Sequence, residues 1–137
     1  MVDDDLQEII AAWQEWLAVE KNVSPHTASS YQFDLKRFVE FLSTYKGGIV
    51  TRITLQDLQL LDFRAFLSAR LQQGVSHRSN ARTISMLRTF YLFLNRRYDI
   101  TNAAIKMIRS AKFLSTLPRP LSPQEAINVT EEASINT

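Results

Sequence analysis

Arg78, Arg82 and Ser85 recur at spacings of four and three, so they share one face of a helix. Arg88 lies at the margin of that face, and Asn80 falls within its first turn. Guanidinium groups donate paired hydrogen bonds to guanine edges and hold phosphate oxygens, while an asparagine amide can pair with adenine. Four or five phosphate contacts of this kind make an affinity that falls steeply with salt and carries no base preference. A second cluster, Ser24, Thr27, Ser30 and Tyr31, puts hydroxyls around another helix start, where free amides and the dipole already suit a phosphate. Ser24 also reads as a helix cap and Tyr31 as a core residue, and neither role excludes contact with a polyanion.

Catalytic arrangements are not found. His26 and His77 are the only histidines, each just inside a helix start and without acids at metal-ligand spacing. The chain has no phosphate-cradling glycine loop, no Gly-x-Ser-x-Gly elbow and no His-Glu-x-x-His. The four tyrosines fall mostly on helix stripes, where packing explains them. No catalytic residue, metal or cofactor is expected, and this stretch of chain by itself is not expected to be an enzyme.

Helices must position the basic face. Leu6, Ile9, Ile10, Trp13, Trp16 and Leu17 follow helical periodicity and predict a first helix over residues 4–21. Ser24 as cap and Pro25 at the first helical position open a second, running to about Tyr45 with Tyr31, Leu35, Phe38 and Leu42 as its stripe. Gly47-Gly48 ends it. Residues 49–53 could be a strand but have nothing to pair with, so an extended connector is expected. Thr54 reads as the cap of a third helix with Leu60, Phe63, Leu67 and Leu71 inward, ending at Gly74. A fourth runs from Ser76 to about Tyr98, and a short fifth from Asn102 to about Lys112. The fold class is all-α, an orthogonal bundle of four long helices plus a short fifth.

Charge is unevenly spread. The net charge is only +2, yet residues 1–20 hold six acids and no Lys or Arg, whereas residues 76–112 hold eight Lys or Arg and one acid. One end of the molecule is therefore suited to a polyanion. No cysteine is present, which excludes a disulfide scaffold and thiolate metal sites. No apolar run reaches membrane-span length and the first residues are acidic, so a cytoplasmic protein is expected. Pro118, Pro120 and Pro123 mark an extended linker over 116–123, after a domain covering 1–115. Residues 124–137 read as the start of a truncated second domain.

Three stretches together resemble a known family. "EKNVSPHTASSYQFDLKRFVEFL" is similar to the opening signature of XerC/XerD-type tyrosine recombinases, the phage integrase family, through Glu20, Lys21, Val23, Ser24, Thr27, Tyr31, Asp34, Leu35, Phe38, Phe41 and Leu42. "SHRSNARTISMLRTFYLFL" resembles the second signature, with Arg78, Arg82, Ser85, Leu87, Arg88, Phe90, Tyr91, Phe93 and Leu94 in place. "LPRPLSPQEA" looks like the hinge before the catalytic domain. The chain departs from the pattern at Thr83, where a second basic residue is frequent, at Asn102-Ala103 for Asn-Pro, and at Ala111-Lys112 for Pro-Lys.

The resemblance implies a SAM-like core-binding domain that forms one jaw of a clamp on duplex DNA, with its second and fourth helices toward the major groove. Thr27 and Tyr31 would then lie near the backbone, and Arg78, Asn80, Arg82 and Arg88 near the groove or phosphates, with Arg88 alternatively bracing the helix. It also implies partner recombinase subunits in a four-subunit synapse, a role in chromosome-dimer resolution or mobile-element integration, and catalytic groups housed in the second domain. No membrane or small-molecule partner is expected. Two other classes fit the residues: a helix-turn-helix-like regulator, and a helical protein-interaction module with a basic face.

Overall fold

Capping chemistry sets the helix starts. The computed structural model describes residues 1–108. α1 (Asp4–Val19) begins where the Asp3 carboxylate accepts from the Leu6 amide at 2.9 Å, and Asp4 and Asp5 complement the dipole in its first turn. α2 (Pro25–Lys46) and α5 (His77–Tyr98) open alike: Ser24 Oγ accepts from the Thr27 amide and Ser76 Oγ from the Ser79 amide, each at 3.1 Å. Gly47 closes α2 in the left-handed region at φ 77°, a conformation that glycine enters without a Cβ clash. Asp99 closes α5 in the same region at φ 59°.

Between them, the single third helix expected from the sequence is two. α3 (Arg52–Asp57) is capped by Thr51, and Thr54 is the third residue of its capping box rather than the cap. The chain then extends at Leu58, and α4 (Leu60–Gln72) starts where the Gln59 amide donates to Asp62 Oδ2 at 2.8 Å. The break has a specific cause. In a continuous helix the Leu55, Gln56 and Leu58 carbonyls would accept from the amides four residues on. Instead the two protons of Asn102 Nδ2 are shared among all three, at 3.0, 3.2 and 3.0 Å, and the Tyr91 hydroxyl donates to Leu55 at 2.8 Å. Distant side chains thus cap the end of α3.

The connector expected to be unpaired also finds a partner. The Val50 amide donates to the Met1 carbonyl at 2.8 Å, and the Asp3 amide donates to the Val50 carbonyl at 3.2 Å. This is one isolated bridge between Val2 and Val50, and Val50 itself is buried. The expected fifth helix is, within the described residues, a 3₁₀ turn over Ala103–Met107 capped by Asn102. The expected linker 116–123 and the start of a second domain at 124–137 lie outside the described residues.

One hydrophobic core runs through all five helices. Trp13 of α1 meets Phe90 of α5 edge-on at 5.0 Å and lies parallel to the Tyr31 ring of α2 at 6.5 Å. Phe38 of α2 packs on Phe63 and Phe66 of α4 at 6.0 and 5.1 Å, and Phe63 in turn meets Tyr91 of α5 at 5.6 Å. α2 and α5 therefore share both ends of the core. The class is all-α as expected, and no described helix is long and apolar enough to cross a membrane.

Asn102→Ala should be the more damaging of two cap substitutions. It leaves the buried Leu58 carbonyl and the part-buried Gln56 carbonyl without their side-chain donor, and an unsatisfied buried acceptor costs about 1–3 kcal/mol. Tyr91→Phe leaves Asn102 in place on Leu55 and should cost about 1 kcal/mol. Urea unfolding reads both, with the midpoint moving and the slope unchanged. Equal losses would mean that Asn102 is not the principal cap.

Asp62 makes a second prediction. Burial pushes its pKa up, but the Gln59 amide, the Tyr45 hydroxyl and Lys46 together outweigh that and hold it below the ordinary carboxylate value of 3.8. Near that pH the unfolded chain binds more protons than the folded one, so the contribution of Asp62 is present above the unfolded pKa and disappears as pH falls through the lowered folded value. Asp62→Asn should flatten the loss of thermal midpoint below about pH 4. An unchanged acid limb would remove Asp62 from the acid unfolding of this domain.

Candidate nucleic-acid interface

α5 is anchored on one side and presents the other. Ile84, Leu87, Phe90, Tyr91 and Leu94 are buried, as their spacing predicts, while Arg78, Arg82, Ser85 and Arg88 are exposed. A helix held in this way has little freedom to turn its cationic face. Arg78 makes no ion pair among the described residues, so its charge is available. Ser85 sits two turns further along the same face.

Arg82 is engaged differently. Its Nε and Nη2 donate to the two carboxylate oxygens of Asp34 on α2, at 3.1 and 3.2 Å. Asp34 is 0% exposed and also lies 3.2 Å from the Thr83 hydroxyl, whose single proton it shares with the Ser79 carbonyl at 3.1 Å, with Arg70 Nη2 of α4 3.8 Å away. The Arg82 side chain remains 42% exposed, so its outer edge still faces solvent while its inner edge is fixed. Paired donation to one carboxylate fixes both the distance and the plane of the guanidinium.

Asn80 does not belong to the face. It is 0% exposed: its Oδ1 accepts from Arg70 Nε and its Nδ2 donates to the Leu67 carbonyl, each at 2.9 Å. Both ends of the amide are used in joining α4 to α5, so the expectation that it reads adenine is corrected. Arg88, exposed on the same face, donates through Nη2 to the Ile108 carbonyl beyond the end of α5. Tyr31 is half-buried against Trp13.

The hydroxyl cluster on α2 is placed apart from Arg78. α2 and α5 pass in opposite senses: Asp34 meets Arg82 and Thr83, and Arg37, one turn later on α2, shares a cleft with Ser79, one turn earlier on α5. Ser24 and Thr27 precede Asp34 by two to three turns and so fall beyond the crossing from Arg78. There the Ser24 hydroxyl donates to Thr27 Oγ1 at 3.0 Å, and both remain at the surface. The structure brings Arg82 together with Phe33 and Arg37 of α2 instead.

Three residues of this region escaped the sequence reading: Asp34 as a buried partner, Arg70 and Arg37. The first two had a signal. Asp34 falls four before Phe38 and Arg70 three after Leu67, so each is a charged residue on an inward face. Charges at such positions require partners. Arg37 had only its place one turn after Asp34.

The comparisons with known proteins agree with this architecture. The model of the phage integrase N-terminal SAM-like domain matches residues 10–98. A tyrosine recombinase XerC from Rickettsia bellii is 36% identical over 125 residues, covering 91% of this chain and 41% of that protein. The XerC proteins of Rickettsia canadensis and Rickettsia prowazekii are each 35% identical over 129 residues, covering 93% of this chain and 42% of theirs. This chain thus spans about two fifths of the length of these relatives. No solved structure matches it. With the match covering residues 10–98, the chain belongs to the family of phage integrase N-terminal SAM-like domains, and it is similar to part of these XerC tyrosine recombinases.

Proposed function

We propose that this domain holds duplex DNA for a site-specific recombinase, as one jaw of a clamp within a synapse of four subunits. The observation that carries this reading is the exposed face of α5, where Arg78, Arg82 and Ser85 stand on a helix whose opposite face is buried. Arginines in fixed orientation suit both phosphate oxygens and guanine edges. Ser24 and Thr27, across the helix crossing, add hydroxyls and a helix N-terminus for a second stretch of backbone. Arg88 is a weaker contributor, because one edge of it already serves Ile108.

DNA cleavage and rejoining through a phosphotyrosine belong, in this proposal, to the remainder of the recombinase. This domain supplies binding and orientation. The cellular role we assign is chromosome-dimer resolution in the cytoplasm, as the resemblance to XerC/XerD-type recombinases implies.

Fluorescence anisotropy of a labelled duplex, titrated with this chain across salt concentrations, tests the reading. Arg78→Ala should weaken binding roughly fivefold to tenfold, lower the salt slope by about one contact and leave the unfolding midpoint unchanged. Arg82→Ala should weaken binding and also cost about 2 kcal/mol of stability. That is less than a fully orphaned buried charge, because Thr83 and Arg70 still neighbour Asp34. Absence of binding at low salt, or equal displacement by polyglutamate and by unlabelled duplex, would favour a protein-interaction module instead.

A further inference from the structure

α2, α4 and the start of α5 line a cleft of about 940 Å³. Phe33 and Arg37 come from α2, Arg70 from α4, and Ser76, Ser79 and Arg82 from α5. Arg70 is the most buried of these cations at 8% exposure, and its charge is only partly answered. Its Nε donates to the neutral Asn80 amide oxygen. Its Nη2 lies 3.8 Å from Asp34, beyond hydrogen-bonding range, and both oxygens of that carboxylate are already occupied by Arg82.

Arg37 adds a third guanidinium. It lies 4.7 Å over the Phe33 ring, and its one acid, Glu40, is 3.4 Å away in an exposed pair of the kind that contributes little. Three guanidiniums therefore meet two carboxylates around one partly dehydrated cleft. Burial lowers the Arg70 pKa; the neighbouring Asp34 charge raises it, and Arg82 and Arg37 lower it further. An anion entering the cleft would relieve the repulsion among these cations, in surroundings where charges act more strongly than in open water.

We propose that this cleft binds a phosphate group, held by Arg37 and Arg70 with Arg82 at its wall, and that a backbone phosphodiester of the bound duplex supplies it. Tetrahedral phosphate offers several oxygens and can accept from more than one guanidinium at once, which suits cations converging from two helices. Ser76 and Ser79, which bracket Arg78 in the chain, line the cleft at the start of α5, so a strand held at Arg78 would lie beside it. The proposal rests on the DNA-holding function above. It extends that function from the ridge of α5 into the neighbouring cleft and adds two cations from α2 and α4.

The test uses the whole chain, with Arg37→Gln as the principal variant because Arg37 is exposed and packs in no core. The duplex should bind Arg37→Gln about threefold to tenfold more weakly, with a salt slope lower by about 0.9 and an unchanged unfolding midpoint. Nitrogen-15 spectra should show the Arg70 Nε–H and the Ser79 amide shifting with duplex, and inorganic phosphate should move the same resonances at higher concentration. Unchanged affinity and slope in Arg37→Gln, beside a clear loss in Arg78→Ala, would overturn the cleft and leave the DNA-holding function standing. Shifts with inorganic phosphate but none with duplex would overturn its assignment to the DNA backbone. No duplex binding by the unsubstituted chain would remove both readings together.

Discussion

A carboxylate with no exposed surface, Asp34, is the constraint on which the arrangement of α2, α4 and α5 depends. Removing a carboxylate from water carries a penalty of several kcal/mol, recovered only if its lone pairs are met in good geometry. Here α5 supplies a guanidinium fork from Arg82 and a hydroxyl from Thr83, and α4 supplies Arg70 at longer range. Sliding α5 along α2 by one turn would strand the charge, whereas the leucines and phenylalanines around it could repack at smaller loss. Apolar contacts provide the bulk of the stabilisation, and Asp34 selects the register. Thr83, one of the departures from the family pattern, thus has a use: it adds the third donor to Asp34, where a basic side chain would bring another charge.

A second polar junction does for the α3–α4 corner what Asp34 does for the helix crossing. Asn102 lies beyond the end of α5, yet it satisfies three carbonyls at the end of α3 and accepts from the Ala104 amide. The three contacts of its Nδ2 tie the chain leaving α5 to a segment more than forty residues earlier. Arg88 adds a tie a few residues on, at Ile108. The segment from Asn102 to Ile108 is therefore held by side chains and not only by the 3₁₀ turn itself.

How much of this was legible follows from the range of each interaction. Helix starts at Ser24 and Ser76, and the inward stripes of α2 and α5, depend on neighbours within a turn or two, and they lie where the residues indicate. The split between α3 and α4 was not legible, because its cause is Asn102, 44–47 residues away, and a local pattern of Leu60, Phe63 and Leu67 reads through it. Asn80 was misassigned for a related reason. On the chain it sits between two arginines of the basic face, but a residue two positions from Arg78 points about 200° around the helix. Angular position alone would have placed it toward the core, and only the fold could reveal Arg70 and the Leu67 carbonyl as its partners.

The pinning of Arg82 also bears on how a chain with a net charge of only +2 could favour one approach of DNA. A guanidinium already paired with a carboxylate adds little to the long-range field, so Arg82 contributes direction more than attraction. Attraction at a distance then comes from the cations of α5 without a carboxylate partner, and it is opposed by the exposed Asp4, Glu8 and Glu15 of α1 and by Glu20 at its end, whereas Asp5 is paired with Arg52. A polyanion is drawn to one side and repelled from another, which selects orientation without demanding high affinity. For a domain proposed to act beside a catalytic partner on the same DNA, that division is advantageous. In the proposed clamp, strength would come from the closure of two jaws, and the contribution of this one would be to present Arg82 in one plane.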